Sequence, residues 1–117
     1  EVFAGGGIHS KDVPATNAVL ADPYGIMGDT VGNIYICDRS KHRIVRVGLD
    51  NMLRLVVGDE SPGYSGDTGA ATDAKIFHPR GIFISQSSKL YFTDSYWNSV
   101  RTVDLSTGII THVAGTS

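Results

Sequence analysis

Short runs of apolar residues recur along the chain, and polar or glycine-bearing turns separate them. In "NIYIC" (33–37) Ile34 and Ile36 alternate with Tyr35 and Cys37, and "KLYFT" (89–93) repeats that pattern. A period of two is typical of β-strands, and apolar residues on both faces indicate a sheet covered on both sides. Six further runs predict strands: "GIMGD" (25–29), "RIVRV" (43–47), "LRLVV" (53–57), "GIFIS" (81–85), "SVRTV" (99–103) and "IITHV" (109–113).

These runs belong to two copies of one unit. "ATNAVLADPYGI" (15–26) matches "ATDAKIFHPRGI" (71–82), so that Pro79 follows Pro23 by 56 positions (79 − 23 = 56). Length changes between the copies fall only in turns, as expected of a repeated supersecondary unit. The positions expected to serve the repeat structurally are Pro23, Gly25, Asp38, Pro79, Gly81 and Asp94.

Four antiparallel strands per unit, apolar on both faces, predict an all-β fold in which sheets stack as the blades of a β-propeller. Two blades cannot close a ring, and we expect these two to belong to a six-bladed one. The predicted divisions are a partial outer strand of a preceding blade at 1–5, blade one at 6–58 and blade two at 59–117. We expect open blade faces to favour self-association.

Several phrases carry a family resemblance. "ATDAKIFHPRGI", "LYFTDSYWNSVRTVD", "TGIITHVAG" and "GYSGDTGAAT" resemble the NHL repeat, which forms propeller blades with a Pro-x-Gly-Ile start and a Tyr-x-x-Asp strand end. Blade two departs from the pattern with Ser99 where blade one has Arg43. The blade count favours a segment of a larger propeller over a ring of three chains, in which two strands would compete for one outer position at each joint. The resemblance also allows an enzyme, because amidating lyases have a similar propeller, and it allows an RNA-binding propeller.

Composition and charge exclude few functions. The net charge is −2 and the pI about 6.0, which disfavours general binding to nucleic acid or to an anionic membrane. No apolar run approaches the roughly 20 residues of a membrane helix, so we expect no membrane insertion. Cys37 has no second cysteine to pair with and is interpreted as a small buried residue. The sequence assigns no compartment.

Metal and cofactor motifs are weak. The glycine-rich stretch 63–82 lacks both the P-loop and the dinucleotide-binding pattern, and its acidic residues lack EF-hand spacing. The histidines, at 9, 42, 78 and 112, have no metal-binding spacing, so neither a metal nor a cofactor is predicted. Asp38 and Asp94 could form a catalytic pair, but we interpret each as a cap on the turn that follows it.

The predicted binding surface is the rim formed by the loops that enter the first strands and by the turns between the second and third strands, by analogy with the architecture. Tyrosine, tryptophan and arginine are enriched at the energetic centres of protein interfaces. Trp97, the single tryptophan, lies in one of these turns. In the alternative interpretation, Tyr96 or Trp97 folds back over the blade edge. The candidate rim residues are Tyr24, Arg39, Lys41, His42, Tyr64, Arg80, Tyr96 and Trp97.

We therefore predict a non-catalytic platform that binds a protein or peptide. The first alternative is part of a propeller enzyme, a hydrolase or amidating lyase, with a metal site in the central channel. The second is an RNA-binding propeller, for which basic residues at the rim would be needed and against which acidic neighbours count.

Overall fold

The computed structural model describes residues 13–115, which form two antiparallel sheets. Blade one has the strand order β1-β5-β4-β3-β2 and blade two the order β6-β7-β8-β9. Within the described residues no helix is long and apolar enough to cross a membrane. The strands of blade one are β1 (Val13–Pro14), β2 (Pro23–Gly28), β3 (Ile34–Asp38), β4 (Arg43–Val47) and β5 (Met52–Val57). Those of blade two are β6 (Pro79–Ile84), β7 (Lys89–Asp94), β8 (Ser99–Asp104) and β9 (Ile109–Ala114).

All eight strands expected from the apolar runs are present, with small differences at their ends. The inner strands, β2 and β6, begin at their prolines, two residues earlier than predicted. Pro23 pairs with Asp38 and Pro79 with Asp94, in each case across a β-bulge. A proline fits there because it is the first residue of the strand. The outer strand predicted at 1–5 lies outside the described residues.

The core lies between the two sheets. Tyr35, Cys37 and Ile44 of blade one meet Leu90 and Phe92 of blade two, and all five are buried. A second cluster covers the other face of blade one, where Ile36, Val45, Val47 and Leu53 pack on Ala15 and Ala18. Both faces of blade one are therefore apolar, as the alternation in "NIYIC" predicts.

A leading segment precedes each blade, at residues 13–22 and 59–78, and runs along the outer strand before crossing to the inner one. In blade two the amide of Thr68 donates to the carbonyl of Ile110 (2.7 Å) and that of Ala71 to the carbonyl of Gly108 (2.8 Å). In blade one the matching stretch is β1, which pairs with β5. The glycine-rich stretch is thus a connector whose backbone covers the free edge of the outer strand.

The inner strands approach each other closely at Gly25. A Cβ atom at this position would overlap the backbone carbonyl oxygen of Arg80 on β6. Glycine is therefore required here because the two backbones leave no room for a side chain. This contact fixes how closely the inner edges of the blades sit together.

Candidate functional site

The turns that follow β3 and β7 lie on the same rim as the ends of the leading segments. Each turn is a 3₁₀ turn, Arg39–Lys41 in blade one and Ser95–Trp97 in blade two. The amide of Arg39 donates to the carbonyl of Asp22, and that of Ser95 to the carbonyl of His78. These bonds place the candidate rim residues of both blades on one surface.

Asp38 and Asp94 do not cap the turns that follow them, and in this respect the sequence interpretation is wrong. Neither 3₁₀ turn has a side-chain cap. Asp38 instead accepts from the amides of Ala21 (3.0 Å) and Asp22 (2.9 Å), and Asp94 from the amide of Phe77 (2.7 Å). Each carboxylate satisfies amides of the leading segment, which have no sheet partner at that point.

A buried arginine pairs with each of these aspartates. The guanidinium of Arg43 lies 3.0 Å from the Asp38 carboxylate, and both side chains are fully buried. In blade two the partner of Asp94 is Arg101, at 3.3 Å, and this pair is also fully buried. Burial raises the pKa of Asp94, while the amide of Phe77 and the charge of Arg101 oppose that rise.

The sequence comparison missed this second arginine because it lies two residues beyond the aligned position, Ser99. Arg101 and Ser99 point to the same face of β8, so the guanidinium reaches the same place from further along the strand. The shared contact confirms the equivalence: Arg43 donates to the carbonyl of Val19, and Arg101 to that of Lys75. The available signal was an arginine on the same face of each third strand as a buried valine, Val47 in blade one and Val103 in blade two.

Aromatic rings form a cluster on the rim where the two blades meet. Tyr96 stacks on Phe77 with 4.0 Å between ring centroids, and Phe77 lies edge to face with His42 at 4.9 Å. The rings of His42 and His78 stack at 5.1 Å. Phe77 is the centre of this cluster, although the sequence analysis did not select it. We call the set the rim cluster: His42, Phe77, His78, Tyr96 and Trp97.

The structure separates Tyr96 from Trp97. Tyr96 is 56% exposed, whereas the indole N–H of Trp97 donates to the carbonyl of Gly63 (3.1 Å) and the ring is half-buried. Tyr64 also turns inwards, since its hydroxyl donates to Asp67 and its ring lies under the guanidinium of Arg101 at 4.1 Å. Trp97 and Tyr64 hold the glycine-rich connector against the blade, while Tyr96 presents its ring to solvent.

Tyr24 lies between two arginines on the inner part of the rim. The guanidinium carbons of Arg39 and Arg80 each lie 4.9 Å from the centre of the Tyr24 ring. Arg80 also donates to the Tyr24 hydroxyl (3.0 Å), and Arg39 pairs with Asp22 at 2.8 Å. Tyr24 is 50% exposed and Arg80 is exposed, so this group offers an aromatic face and a guanidinium to a binding partner.

The other rim cations have partners within the chain. Lys41 donates to the carbonyl of Val19 (3.3 Å), and Lys75 pairs with Asp59 at 2.7 Å. Arg43 pairs with Glu60 as well as with Asp38, and Arg101 with Asp67. The rim is therefore close to electrically balanced, which agrees with the low net charge.

The three described histidines, His42, His78 and His112, lie in ring and hydrogen-bond contacts. His42 accepts a hydrogen bond at Nδ1 from the amide of His78 (3.2 Å), and burial together with the charge of His78 lowers the pKa of His42. His112 contacts Tyr64, and His9 lies outside the described residues. Across residues 13–115 no group of three histidine, cysteine, aspartate or glutamate side chains is placed to hold a metal ion.

Cys37 is fully buried in the core between the blades, as expected from the sequence. Burial raises the pKa of its thiol to about 12, so the thiolate required of a nucleophile is strongly disfavoured. Nucleophilic catalysis by Cys37 is therefore disfavoured in the folded chain. The contact groups that the rim offers are aromatic and cationic side chains.

The chain is similar to parts of two longer known proteins. No family model matches the chain. It is 33% identical over 99 residues to Teneurin-m of Drosophila melanogaster, covering 72% of this chain and 3% of that protein. It is 28% identical over 99 residues to Protein SUPPRESSOR OF QUENCHING 1, chloroplastic, of Arabidopsis thaliana, covering 84% of this chain and 9% of that protein. The chain thus corresponds to a small part of the length of both relatives.

A solved structure supplies the architecture. The virginiamycin B lyase from Staphylococcus aureus superposes with a TM-score of 0.58 at 20% identity, covering 80% of this chain and 27% of the lyase. At that identity the likeness shows the fold alone. The two antiparallel sheets, stacked face to face, are β-propeller blades, and the fold class predicted from the sequence is confirmed.

Proposed function

We propose that this chain is a non-catalytic platform that binds a protein or peptide, built from NHL-type blades of a larger propeller. The observation that carries the proposal is the combination of exposed Tyr96 with the Tyr24–Arg80 pair on one rim. Aromatic and guanidinium groups supply large contact area and hydrogen bonds at low entropic cost, which is why they dominate protein interfaces.

The rim cluster supports this proposal because it is organised before a partner arrives. Tyr96 rests on Phe77, and Phe77 is held by contacts with both His42 and His78. A preorganised aromatic surface loses little conformational entropy on binding. The relatives match over a small part of their length, which is consistent with a role inside larger proteins.

The charge arrangement favours a protein or peptide over RNA. Arg39, Arg43 and Arg101 each face a carboxylate, so little positive potential remains to attract a phosphate backbone. The lyase likeness is a likeness of fold, and both recurrent aspartates are held in structural ion pairs with arginine.

A displayed peptide library selected against the chain tests the proposal. Enriched peptides are then titrated by fluorescence anisotropy against wild type and against Tyr96→Ala and Arg80→Ala. We expect each variant to weaken binding by at least tenfold, which corresponds to about 1.4 kcal/mol. Val31→Ala is the matched control, because Val31 is 65% exposed in the turn between β2 and β3, at the opposite rim.

Failure to enrich any peptide, or equal affinity for all three variants, would contradict the proposal. A single-stranded RNA oligonucleotide is titrated in parallel at two salt concentrations. Tight, salt-dependent RNA binding that requires Arg80 would favour the RNA-binding alternative instead.

A further inference from the structure

A cleft of about 440 Å³ lies between the two blades, near the turns that follow β4 and β8 and therefore away from the rim cluster. On its blade-one wall Tyr35, Arg46 and Arg54 are cross-strand neighbours on β3, β4 and β5. The facing wall consists of blade two and its leading segment, with Ala70, Thr72, Val103, Leu105 and Thr107. Both walls belong to consecutive blades within residues 13–115, so the cleft does not depend on what adjoins the outer sides of the blade pair.

The blade-one wall carries two arginines directly opposite each other. Like charges at opposed positions of neighbouring strands destabilise a sheet unless an anion balances them. Arg54 is balanced by Asp50, to which its guanidinium makes two hydrogen bonds, the shorter of 2.7 Å. Arg46 interacts with the hydroxyl of Tyr35, and within the described residues it takes part in no ion pair with a carboxylate. A positive charge therefore remains on this wall of the cleft.

The Nε atom of Arg46 is buried and has no hydrogen-bond partner within the part of the chain that the structure describes. A buried N–H group without an acceptor opposes folding, and native structures satisfy nearly all such groups. The Nε–H and a neighbouring Nη–H of a guanidinium point the same way, and the two oxygens of a carboxylate accept from both. Because Arg46 is only partly buried, its guanidinium can turn this edge towards the cleft.

We propose that the cleft binds a small organic carboxylate with an apolar body. The carboxylate accepts hydrogen bonds from Arg46, and the apolar body packs on Val56, Val103 and Leu105. The volume lies in the range of small-molecule sites, which combine apolar walls with a few polar groups that fix orientation. This site is independent of the binding rim, so it does not require that the rim bind a peptide.

Hexanoate is the probe, and hexanamide is its control because it has nearly the same shape without the charge. A heteronuclear NMR titration of the 117-residue chain follows the Nε–H of Arg46 together with the backbone amides. We expect hexanoate to shift the Arg46 Nε–H resonance and the amides of Thr72, Leu105 and Gly108. Hexanamide should leave these resonances in place.

Arg46→Gln removes the charge and should raise the dissociation constant of hexanoate at least tenfold. Lys89→Gln is the matched control, because it removes one positive charge from a substantially exposed side chain outside the cleft. It should leave the dissociation constant unchanged. Thermal unfolding by circular dichroism shows whether each variant is folded, and if Arg46→Gln is not, the resonance shifts of wild type decide.

A wild type whose cleft resonances do not move with hexanoate would overturn the proposal. So would equal binding of hexanamide, or an affinity for hexanoate that folded Arg46→Gln retains. Inorganic phosphate is titrated in parallel. Tighter binding of phosphate than of hexanoate would refute the assigned ligand class, because the apolar walls would then contribute nothing.

Discussion

At the scale of single residues, Arg43 and Arg101 perform one task from two positions. Each pairs with the aspartate that ends the second strand, donates to the leading-segment carbonyl at the same repeat position and reaches a rim carboxylate. The pair joins three parts of a blade that are far apart in sequence. Because both partners are fully buried, losing one of them leaves an uncompensated charge in the interior.

Arg101→Met should accordingly destabilise the chain by about 3–5 kcal/mol, the usual cost of leaving a buried charge without its partner. Lys89→Met is the control, since Lys89 lies 3.8 Å from Asp104 with both side chains substantially exposed. Such a surface pair contributes at most about 1 kcal/mol. Urea unfolding followed by circular dichroism measures both, and equal losses would contradict the structural role of Arg101.

His42 makes the stability depend on pH. Burial and the charge of His78 lower its pKa, and its Nδ1 accepts a hydrogen bond from the amide of His78, so the folded state favours the neutral imidazole. Below the ordinary histidine pKa the unfolded chain therefore binds more protons, and stability falls as pH falls. The groups facing it include His78, whose charge adds to the effect and also acts on Asp22.

His42→Asn tests this effect, because asparagine accepts the left-handed backbone at this position, as Asn98 does in blade two. We expect wild type to lose more stability than the variant between pH 7.5 and pH 5.5. The measurement is urea unfolding at both pH values. Parallel losses in the two proteins would show that His42 does not contribute.

At the scale of elements, the two leading segments are buried to different depths. Ile76 is fully buried in the core between the blades, whereas its equivalent Leu20 is only partly buried. The same repeat position is therefore buried to different extents, because Ile76 packs between the two blades, whereas Leu20 packs on the opposite face of blade one.

Ile76→Ala should cost about 2–5 kcal/mol, the range for removing a buried aliphatic side chain. Leu20→Ala should cost clearly less, since part of that side chain already contacts water. Urea unfolding of the two variants gives the comparison. A larger loss for Leu20→Ala would contradict the assignment of the core between the blades.

The sequence predicted the strands well because their pattern has a local cause. Alternation in "NIYIC" and "KLYFT" follows from the pleat, and it located both second strands to within a residue. The partners of Asp38 lie 16 and 17 positions away on the leading segment, a separation at which local patterns carry no information. For the same reason Phe77 was missed, since only the fold brings it beside Tyr96.

At the scale of the whole molecule, two blades share one core and unfold together if that core is the main source of stability. Cys37 reports on this core, because it is fully buried between the sheets and its thiol pKa is raised to about 12. It can react only after the blades separate or unfold.

A thiol reagent such as DTNB should leave the native chain unlabelled at pH 8. In increasing urea the labelled fraction should follow the loss of β-sheet signal, since exposure of Cys37 requires the core to open. Rapid labelling of the native chain would show that the two sheets separate without global unfolding.

The displaced arginine has a consequence for recognising such blades. Two neighbouring positions on one strand face can each supply the same guanidinium, so an alignment column at either position holds an arginine in only one of the two blades. Tools that score columns independently then see substitution where the spatial network is unchanged. Searches that accept either position, given an aspartate at the end of the preceding strand, should detect divergent blades more sensitively than fixed columns.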